Sequence, residues 1–372
     1  MVIGKQLQKF ILKRFFPFKD WITDLRNPKI LRADIVAGLT VALVLVPQSM
    51  AYAQLAGLPP YYGLYASFLP VAIASIFGSS RQLATGPVAV VSLLTAAALE
   101  PIASNDPTGY VAYAIMLAFL VGIFQLSLGL LRMGVLVDFL SHPVVTGFTN
   151  AAAIIIATSQ LSKLFGVSVV SAEHHYQTII NVLSESLVST HTPTLLMGLL
   201  AIFLILLTRK ISIKYPAVLI SVVITTVISW YIQFETNYGG KVIGVVPDGL
   251  PTIQMPQIDF DQLINLGTVA IAISLIGFME AISIAKAMAT QTKQRLDADQ
   301  ELIGQGLSNI VSSFFQGYPV SGSFSRSAVN ISAGAVTGFA SVVTGLVVGI
   351  TLLFLTPLLY HLPQATLAAV II

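Results

Sequence analysis

The sequence predicts an all-α polytopic membrane protein with an inverted internal repeat. Of the 372 residues, 55% are hydrophobic and only 9% are charged, whereas soluble domains carry about 25% charged residues. Apolar stretches long enough to form membrane-spanning helices follow one another along the whole chain. Two shorter apolar stretches, each preceded by residues unsuited to a helix, occupy matching positions in the two halves.

The predicted spans follow from the length of the apolar stretches. A helix needs about 20 residues to cross the roughly 30 Å of hydrocarbon in a bilayer. Stretches near this length predict membrane-spanning helices over residues 34–55, 61–77, 110–131, 144–162, 193–208, 216–232, 263–288, 300–315 and 335–356. Residues 1–32 therefore form an N-terminal arm, and residues 33–372 form a transmembrane domain.

The N-terminal arm is basic. It carries eight of the nineteen Lys and Arg residues of the chain, which are Lys5, Lys9, Lys13, Arg14, Lys19, Arg26, Lys29 and Arg32. By the positive-inside rule, the arm lies in the cytoplasm. Most later Lys and Arg residues then fall on the cytoplasmic side and most Asp and Glu residues outside, with Lys163 and Lys241 as exceptions. Aromatic residues among the cations of the arm suit an anionic lipid surface or, equally, packing on a soluble partner domain.

Two apolar stretches, residues 87–99 and 323–333, are too short to cross the membrane. At 1.5 Å per residue, each reaches about half of the membrane thickness. Each follows a run of Gly and polar residues, so the sequence predicts a short extended segment followed by a half-helix at both places. The order of span, span, half-helix, span occurs in both halves and starts from opposite sides of the membrane. Such paired interruptions in an inverted repeat indicate a transporter binding site.

The last apolar stretch follows Leu362 and Pro363 and is short. A terminal carboxylate in hydrocarbon is unfavourable. We therefore expect the chain to be truncated in its twelfth span, without two further spans.

The N-termini of the two half-helices form the first candidate site. Free backbone N–H groups at a helix N-terminus act as roughly half a positive charge and attract anions. Inverted symmetry sets the two N-termini facing each other, and Pro is favoured at a first helical position. The alternative is that Gly and Pro merely kink packed helices. The residues concerned are Gly86, Pro87, Val88 and Ala89 in the first half-helix and Ser323, Phe324, Ser325 and Arg326 in the second.

Polar and charged side chains at membrane depth complete this candidate site, because they are costly there and usually serve a function. Arg326 is either an anion ligand or a structural arginine neutralised by carbonyls or an acid. Glu280 is a proton-coupling carboxyl, a partner for Arg326, or a polar residue at the cytoplasmic mouth. Gln48 and Tyr52 lie four residues apart on one face of the first span. Their amide and phenol donors suit an anion, and packing between helices is the alternative.

The sequence excludes several other chemistries. It contains no cysteine, which excludes disulfides and thiolate metal sites. His174 and His175 lack metal-ligand spacing, and there is no phosphate-binding glycine loop. We expect no cofactor, no metal, no nucleic-acid partner and no enzymatic activity. An intramembrane hydrolase using Ser323 or Ser325 is a remote alternative, because no base is placed to activate a serine.

At these residues the sequence resembles the sulfate permease (SulP) family of anion transporters. The resemblance covers residues 30–372. The motifs that carry it are specific in combination, and each is weaker alone. They are Val46–Pro47–Gln48, the run from Gly57 to Tyr65, the run from Ala84 to Val90, the run from Glu280 to Lys286, and the run from Pro319 to Asn330.

The resemblance implies a fold of seven plus seven inverted spans, divided into a core and a gate. The core corresponds to about residues 33–138 and 259–358, and the gate, which is incomplete, to about residues 139–235 and 359–372. A homodimer and a cytoplasmic C-terminal STAS domain are also implied, and this sequence lacks the STAS domain. The anion site is implied between the third and tenth spans, at the half-helix residues named above, with Gln48 of the first span beside it.

The function implied by the resemblance is secondary active transport of an inorganic anion. A glutamate in the eighth span, Glu280, resembles the proton-coupled sulfate branch, so we expect sulfate–proton symport in an alternating-access cycle. Sodium-coupled or exchange transport of bicarbonate, chloride or dicarboxylate is the alternative. We expect a multi-pass protein of the plasma (bacterial inner) membrane with a cytoplasmic N-terminus. Its expected partners are the lipid bilayer, the anion, a coupling proton or sodium ion, and a second copy of the chain.

Overall fold

The computed structural model describes residues 16–103, 106–135, 142–169, 172, 174–212 and 216–372. The first four cations of the predicted arm, Lys5, Lys9, Lys13 and Arg14, lie outside the described residues, as does the predicted boundary between core and gate near residue 138.

Helices make up most of the described chain. They are α1 (Lys19–Ile22), α2 (Pro28–Leu55), α3 (Tyr61–Phe77), α4 (Ala89–Ala103), α5 (Pro107–Leu130), α6 (His142–Ser159), α7 (Leu161–Phe165), α8 (His175–Ser189), α9 (Thr192–Ile211), α10 (Ala217–Tyr231), α11 (Phe234–Tyr238), α12 (Leu263–Thr292), α13 (Ala298–Phe314), α14 (Phe324–Ser332), α15 (Phe339–Ile350), α16 (Thr356–Leu359) and α17 (Gln364–Ile371). Two strands, β1 (Ala84–Gly86) and β2 (Ser321–Ser323), precede α4 and α14.

The structure confirms the predicted all-α membrane fold. Within the described ranges, five helices are long and apolar enough to cross a membrane: α2, α5, α9, α12 and the continuous helix Phe339–Leu359, which contains a π-helical turn at Thr351–Leu355. The remaining predicted spans correspond to α3, α6, α10 and α13, which are 15–18 residues long. Helix α8, on the other hand, lies in a segment for which no helix was predicted.

The first span begins earlier than predicted, at Pro28 and not at residue 34. The side chain of Asn27 accepts a hydrogen bond from the backbone N–H of Lys29 at 3.0 Å and caps the helix. Pro28 occupies the first helical position, where its missing N–H costs nothing. The last cations of the predicted arm, Lys29 and Arg32, are therefore helical, and polar capping, not the onset of apolar residues, sets the start of this helix.

The described end of the N-terminal arm, residues 16–27, packs on the loops of the transmembrane helices. Trp21 is buried, and its ring lies 3.1 Å from the position that a Cβ atom at Gly338 would occupy. Arg81, which follows α3, forms an ion pair with Asp24 at 3.3 Å. Contacts within the chain therefore hold this part of the arm, and they require neither a lipid surface nor a separate domain.

Each short extended segment forms a strand, as the sequence predicts, and the two strands pair with each other. β1 and β2 form an antiparallel two-stranded sheet. α4 leaves one end of this ribbon and α14 leaves the other. The elements α2, α3, β1, α4 and α5 thus correspond in order to α12, α13, β2, α14 and α15. The paired residues are Ala84 with Ser323, Thr85 with Gly322, and Gly86 with Ser321.

Helix α13 lies at the centre of this arrangement, packed against α5 and α3. The backbones of α13 and α5 lie in close contact at small residues. A Cβ atom added at Gly306 would lie 2.5 Å from the backbone nitrogen of Leu126, and one at Gly122 would lie 2.6 Å from that of Ile310. Because lipid is as apolar as any aliphatic side chain, close approach at small residues is a main source of helix association in membranes. These contacts fix α13 against α5.

We expect Gly306→Ala to destabilise the protein, because the new methyl group would meet the backbone of α5 and overpacking costs about 1–3 kcal/mol. Gly267→Ala in α12 is a matched control, since a Cβ atom there meets nothing within 4 Å and alanine favours a helix. Thermal unfolding in detergent should give a lower melting temperature for Gly306→Ala and an unchanged or higher one for Gly267→Ala. Equal melting temperatures for the two variants would contradict the close packing of α13 on α5.

Candidate functional site

The guanidinium of Arg326 lies between the two half-helices. Arg326 belongs to the first turn of α14, and its side chain extends to the end of β1. A Cβ atom added at Gly86 would lie 3.3 Å from Nη2 of Arg326. The guanidinium of one half-helix therefore lies beside the backbone that leads into the other half-helix, as inverted symmetry predicts.

The position of Gly86 favours glycine for two reasons, its backbone conformation and the close approach of Arg326. Its φ angle is +150°, in a region that residues with a side chain rarely adopt. α4 begins three residues later, at Ala89, so Pro87 precedes the helix instead of opening it, which corrects the sequence-based expectation. The carbonyl of Val88 accepts the first helical bond, from Ser92 at 2.9 Å. The N–H groups of Val88 and Ala89 remain without a partner inside the helix.

Arg326 is buried, and two of its hydrogen-bond donors have no acceptor among the described residues. Its side chain is 0% exposed, although a guanidinium is among the groups least often buried. Its Nη1 donates to Oε1 of Gln48 at 3.1 Å. Among the described residues, neither Nε nor Nη2 has a hydrogen-bond partner. These two nitrogens form one side of the guanidinium, the fork that binds a carboxylate or another planar pair of oxygens with two parallel hydrogen bonds.

Gln48 and Tyr52 of α2 lie beside this guanidinium. Gln48 is 8% exposed, and its amide oxygen faces Arg326. The hydroxyl of Tyr52 lies near the Gln48 side chain and within electrostatic range of both Arg326 and Glu280. The structure therefore brings together the two helix positions, four residues apart, that the sequence predicts to share a face.

Glu280 of α12 lies near Arg326 without forming an ion pair with it. The carboxyl is close enough to interact electrostatically with the guanidinium, but no N–O distance of 4 Å or less joins the two described side chains. Its Oε2 is buried and has no hydrogen-bond partner among the described residues. One helical turn earlier, the carbonyl of Gly277 accepts a hydrogen bond from the Ser321 hydroxyl at 2.7 Å. In this conformation the described side chains of Glu280 and Arg326 therefore interact at longer range and not as a direct ion pair.

The serines at the start of α14 have different roles. The Ser323 hydroxyl accepts from the backbone N–H of Arg326 at 3.5 Å and caps the helix. Ser325 is exposed, as is Phe324, whose side chain is 59% exposed. The hydroxyls of Ser323 and Ser325 lie 3.4 Å apart, and no histidine or carboxylate contacts either within the described part of the chain. Such a pair lacks the base that a nucleophilic serine needs.

Several residues that hold the site were not predicted from the sequence. Ser327 accepts from the backbone N–H of Ala84 at 2.9 Å and so joins α14 to β1. The Tyr318 hydroxyl lies 3.1 Å from that of Ser92, which joins the segment before β2 to α4. Gln305 of α13 contacts Thr85 of β1, and Asn309 of α13 contacts Val320, directly before β2. Their spacing of four residues in a membrane helix was a usable signal, because it puts two amides on one buried face.

A cavity of about 700 Å³ lies elsewhere, beside the N-terminal segment. It does not include Arg326, Gln48 or Glu280. Its lining includes both signs of charge, with Asp20, Arg81, Lys293, Arg295 and Asp297 among its residues. In the described ranges, no group of three or more His, Asp or Glu side chains is arranged to hold a metal ion.

Comparison with known proteins gives consistent results along almost the whole chain. A sequence profile described as the sulfate permease family matches residues 31–372. The chain is 40% identical over 365 residues to sulfate transporter 4.1, chloroplastic, of Arabidopsis thaliana, an alignment that covers 96% of this chain and 53% of that protein. The chain spans about half the length of these curated relatives. These relatives are named as transporters and not as enzymes.

Two solved structures share the fold. The murine Slc26a9 anion transporter superposes with a TM-score of 0.91 at 27% identity, covering 98% of this chain and 63% of that one. The transmembrane domain of the cyanobacterial bicarbonate transporter BicA superposes with a TM-score of 0.82 at 25% identity, covering 92% of this chain and 87% of that one. The seven-plus-seven inverted repeat that the family resemblance implies is the fold of these transporters.

We expect Gly86→Ala to displace the Arg326 guanidinium, because the new methyl group would lie 3.3 Å from Nη2. Gly334→Ala is a matched control: Gly334 also has a positive φ, of +94°, but a Cβ atom there meets nothing within 4 Å. Both variants should lose about 1–3 kcal/mol of stability to backbone strain. Anion binding, measured by titration calorimetry on purified protein, should weaken in Gly86→Ala alone. Equal weakening in both variants would mean that the contact with Arg326 is unimportant.

Proposed function

The chain belongs to the sulfate permease family, and from this premise we propose that it carries out secondary active transport of an inorganic anion, with sulfate as the favoured substrate. The anion is held between the N-termini of α4 and α14 and is released to either side of the membrane in an alternating-access cycle. The observation that carries this proposal is the buried Arg326 guanidinium with its unfilled Nε and Nη2 donors.

Three sources of positive potential converge at the proposed site. The first turns of α4 and α14 present free N–H groups, and each helix N-terminus acts as roughly half a positive charge. Arg326 adds a full charge in a region where lipid and buried side chains exclude water, which strengthens every electrostatic interaction. Glu280 is the nearby negative charge, and it does not pair with Arg326. A bound anion would therefore neutralise an excess of positive charge that the described side chains leave uncompensated.

The shape of the free donor pair favours an oxyanion over a halide. Nε and Nη2 of Arg326 donate in parallel from one edge of a planar group. Two oxygens of a sulfate, bicarbonate or carboxylate each accept one of the two parallel hydrogen bonds, whereas a chloride ion has to accept both at a single atom along converging directions. Among oxyanions, the family relationship to sulfate transporters supports sulfate.

Bicarbonate is the second candidate, supported by the structural similarity to the transmembrane domain of BicA. Its carboxylate-like edge fits the same donor pair. Sodium-coupled or exchange transport of bicarbonate, chloride or a dicarboxylate would use the same anion site with a different coupling ion. Measurement of competition between sulfate and each of these anions would separate the candidates.

We further propose that Glu280 carries the coupling proton. When its carboxyl is ionised, it repels an anion entering beside Arg326, and protonation removes that repulsion. The proton and the anion then favour each other's binding by the same free energy, as thermodynamic linkage requires. The free Oε2 is available to take up the proton without breaking a hydrogen bond. Sulfate affinity should therefore rise as the pH falls.

The remaining parts of the proposal concern the arrangement in the membrane. We propose that α2–α5 and α12–α16 form the core, that α6–α11 and α17 belong to the gate, and that the protein is a homodimer. The N-terminus lies in the cytoplasm, and the location is the plasma (bacterial inner) membrane. The distribution of Lys and Arg along the sequence supports this orientation.

We expect Arg326→Ala to weaken sulfate binding at least tenfold, which corresponds to about 1.4 kcal/mol, less than the 1.5–3 kcal/mol of a typical charged hydrogen bond. Arg326→Lys keeps the charge but loses the fork, so its sulfate affinity should also fall, while its chloride affinity should fall less. Titration calorimetry in detergent measures both. Unchanged sulfate affinity in Arg326→Ala would make this arginine a structural residue.

We expect Glu280→Gln to bind sulfate with little dependence on pH, because the amide resembles the protonated carboxyl. Gradient-driven accumulation should be lost. The measurement is uptake of radiolabelled sulfate into proteoliposomes containing the complete protein, with and without an inward proton gradient. Wild-type uptake that ignores the gradient, or accumulation that persists in Glu280→Gln, would exclude the proposed role of this carboxyl.

A further inference from the structure

Helix α13 carries a stripe of polar side chains that contacts β1 and the segment directly before β2. Glu301, Gln305 and Asn309 are spaced by four residues and share one helix face. Each is no more than 1% exposed. Ser312, one turn beyond Asn309, is also fully buried. Buried polar groups in a membrane protein are costly unless every one of them is used, so the partners of this stripe are informative.

The first half of the stripe holds β1 and the loop before it. Oε2 of Glu301 accepts from the backbone N–H groups of Ser79 and Ser80, both at 2.9 Å. Nε2 of Gln305 donates to Oγ1 of Thr85 at 2.9 Å and to Oε1 of Glu301 at 3.1 Å. Thr85 is the central residue of β1 and directly precedes Gly86. Gln305 therefore fixes the position from which α4 begins.

The second half of the stripe holds the approach to β2. Oδ1 of Asn309 accepts from the backbone N–H of Val320 at 2.8 Å, and its Nδ2 donates to the carbonyl of the same residue at 3.0 Å. The Ser312 hydroxyl donates to the carbonyl of Tyr318 at 2.9 Å. Val320 directly precedes β2, which leads into α14 and Arg326. One helix thus holds the backbone on both sides of the anion site.

The two strands need such support. Each has three residues, and a two-stranded ribbon of this size is at best marginally stable alone. The side chain of Asn309 replaces a missing neighbouring strand by pairing with both the N–H and the C=O of Val320. Helix α13 is itself fixed by its backbone contact with α5 at Gly306 and Gly122. It can therefore serve as a rigid reference for the positions of the two half-helices.

We propose that Gln305, Asn309 and Ser312 are positioning residues for the anion site. They hold β1 and β2 so that the Arg326 fork and the N-termini of α4 and α14 point at the same place. None of them touches the anion, and they act through Arg326 and through the backbone. This inference rests on the proposed function, because it assigns a role in anion binding to residues of the same site.

Two neighbouring serines provide a matched test. Ser308 and Ser312 are both fully buried on α13, and each donates one hydrogen bond to a backbone carbonyl: Ser308 to Pro70 of α3 at 2.8 Å, and Ser312 to Tyr318. Ser308→Ala and Ser312→Ala should therefore lower the melting temperature by similar amounts. Sulfate affinity should fall about fivefold in Ser312→Ala, the factor that matches a typical hydrogen bond. Ser308→Ala should leave it unchanged.

A double-mutant cycle separates positioning from general destabilisation. Asn309→Leu should weaken sulfate binding about tenfold or more and chloride binding less, because misplacement of the fork affects a two-oxygen ligand most. In an Arg326→Ala background, Asn309→Leu should have no further effect on sulfate affinity. Additive effects in the cycle would overturn the inference. Should Asn309→Leu fail to fold, Ser312→Ala in the same background serves for the cycle.

The outcomes also distinguish this inference from the proposed function. If sulfate affinity is unchanged in Arg326→Ala, the proposed anion site is wrong, and the positioning role falls with it. If Arg326→Ala weakens binding but Ser312→Ala behaves like Ser308→Ala, the anion site stands and the positioning role is wrong. A loss of affinity in Ser312→Ala that disappears in the Arg326→Ala background supports both.

Discussion

The fold is arranged around one costly interaction, the burial of the Arg326 guanidinium between two half-helices. A buried charge destabilises a protein strongly unless it is paired and hydrogen-bonded. In the described structure, Gln48 accepts from one nitrogen, while Nε and Nη2 are unfilled. The adjacent helix N-termini make the local potential more positive still. The packing of the surrounding helices must therefore offset the free-energy cost of this buried charge. A bound anion would lower that cost by pairing with the guanidinium.

This constraint explains why the helices around the site are joined by so many buried polar side chains. Asp34 of α2 accepts from the backbone N–H groups of Val336 and Thr337, which follow α14. Asn330 of α14 donates to the carbonyl of Gln82, just before β1. Each bond satisfies a backbone group that a broken helix or short strand leaves free, as a membrane interior requires. The helix interruptions at the proposed anion site are thus tolerated because distant side chains complete their hydrogen bonding.

The sequence predicts the membrane fold well because span length depends on local composition alone. It also predicts the half-helices, the extended segments before them and the shared face of Gln48 and Tyr52. The start of the first span was placed too late because Asn27 sets it by a capping hydrogen bond. The surface helix α8 was missed because it lacks the length and apolar content of a span.

The contacts that build the site were harder to predict. The bond from Arg326 to Gln48 joins residues 278 positions apart, and the bond from Gln305 to Thr85 joins residues 220 positions apart. Neither follows from local periodicity. The positions of such residues can be inferred from symmetry, but their hydrogen-bond partners depend on side-chain geometry. The absence of a direct ion pair between Glu280 and Arg326 in the described structure likewise depends on side-chain geometry that the sequence does not give.

The location of the site residues bears on how an anion would move. The described groups around Arg326 belong to α2, β1, α12, β2 and α14, or to the segment before β2 that contains Tyr318. Helix α13 joins β1 to the approach to β2, and its contact with α5 is too close for either helix to slide past the other without breaking backbone packing. Contacts of α9, α10 and α17 are mostly with one another and with α2. In the proposed alternating-access cycle, an anion bound at Arg326 would travel with the group that contains α13, while α9, α10 and α17 would change their contacts with α2.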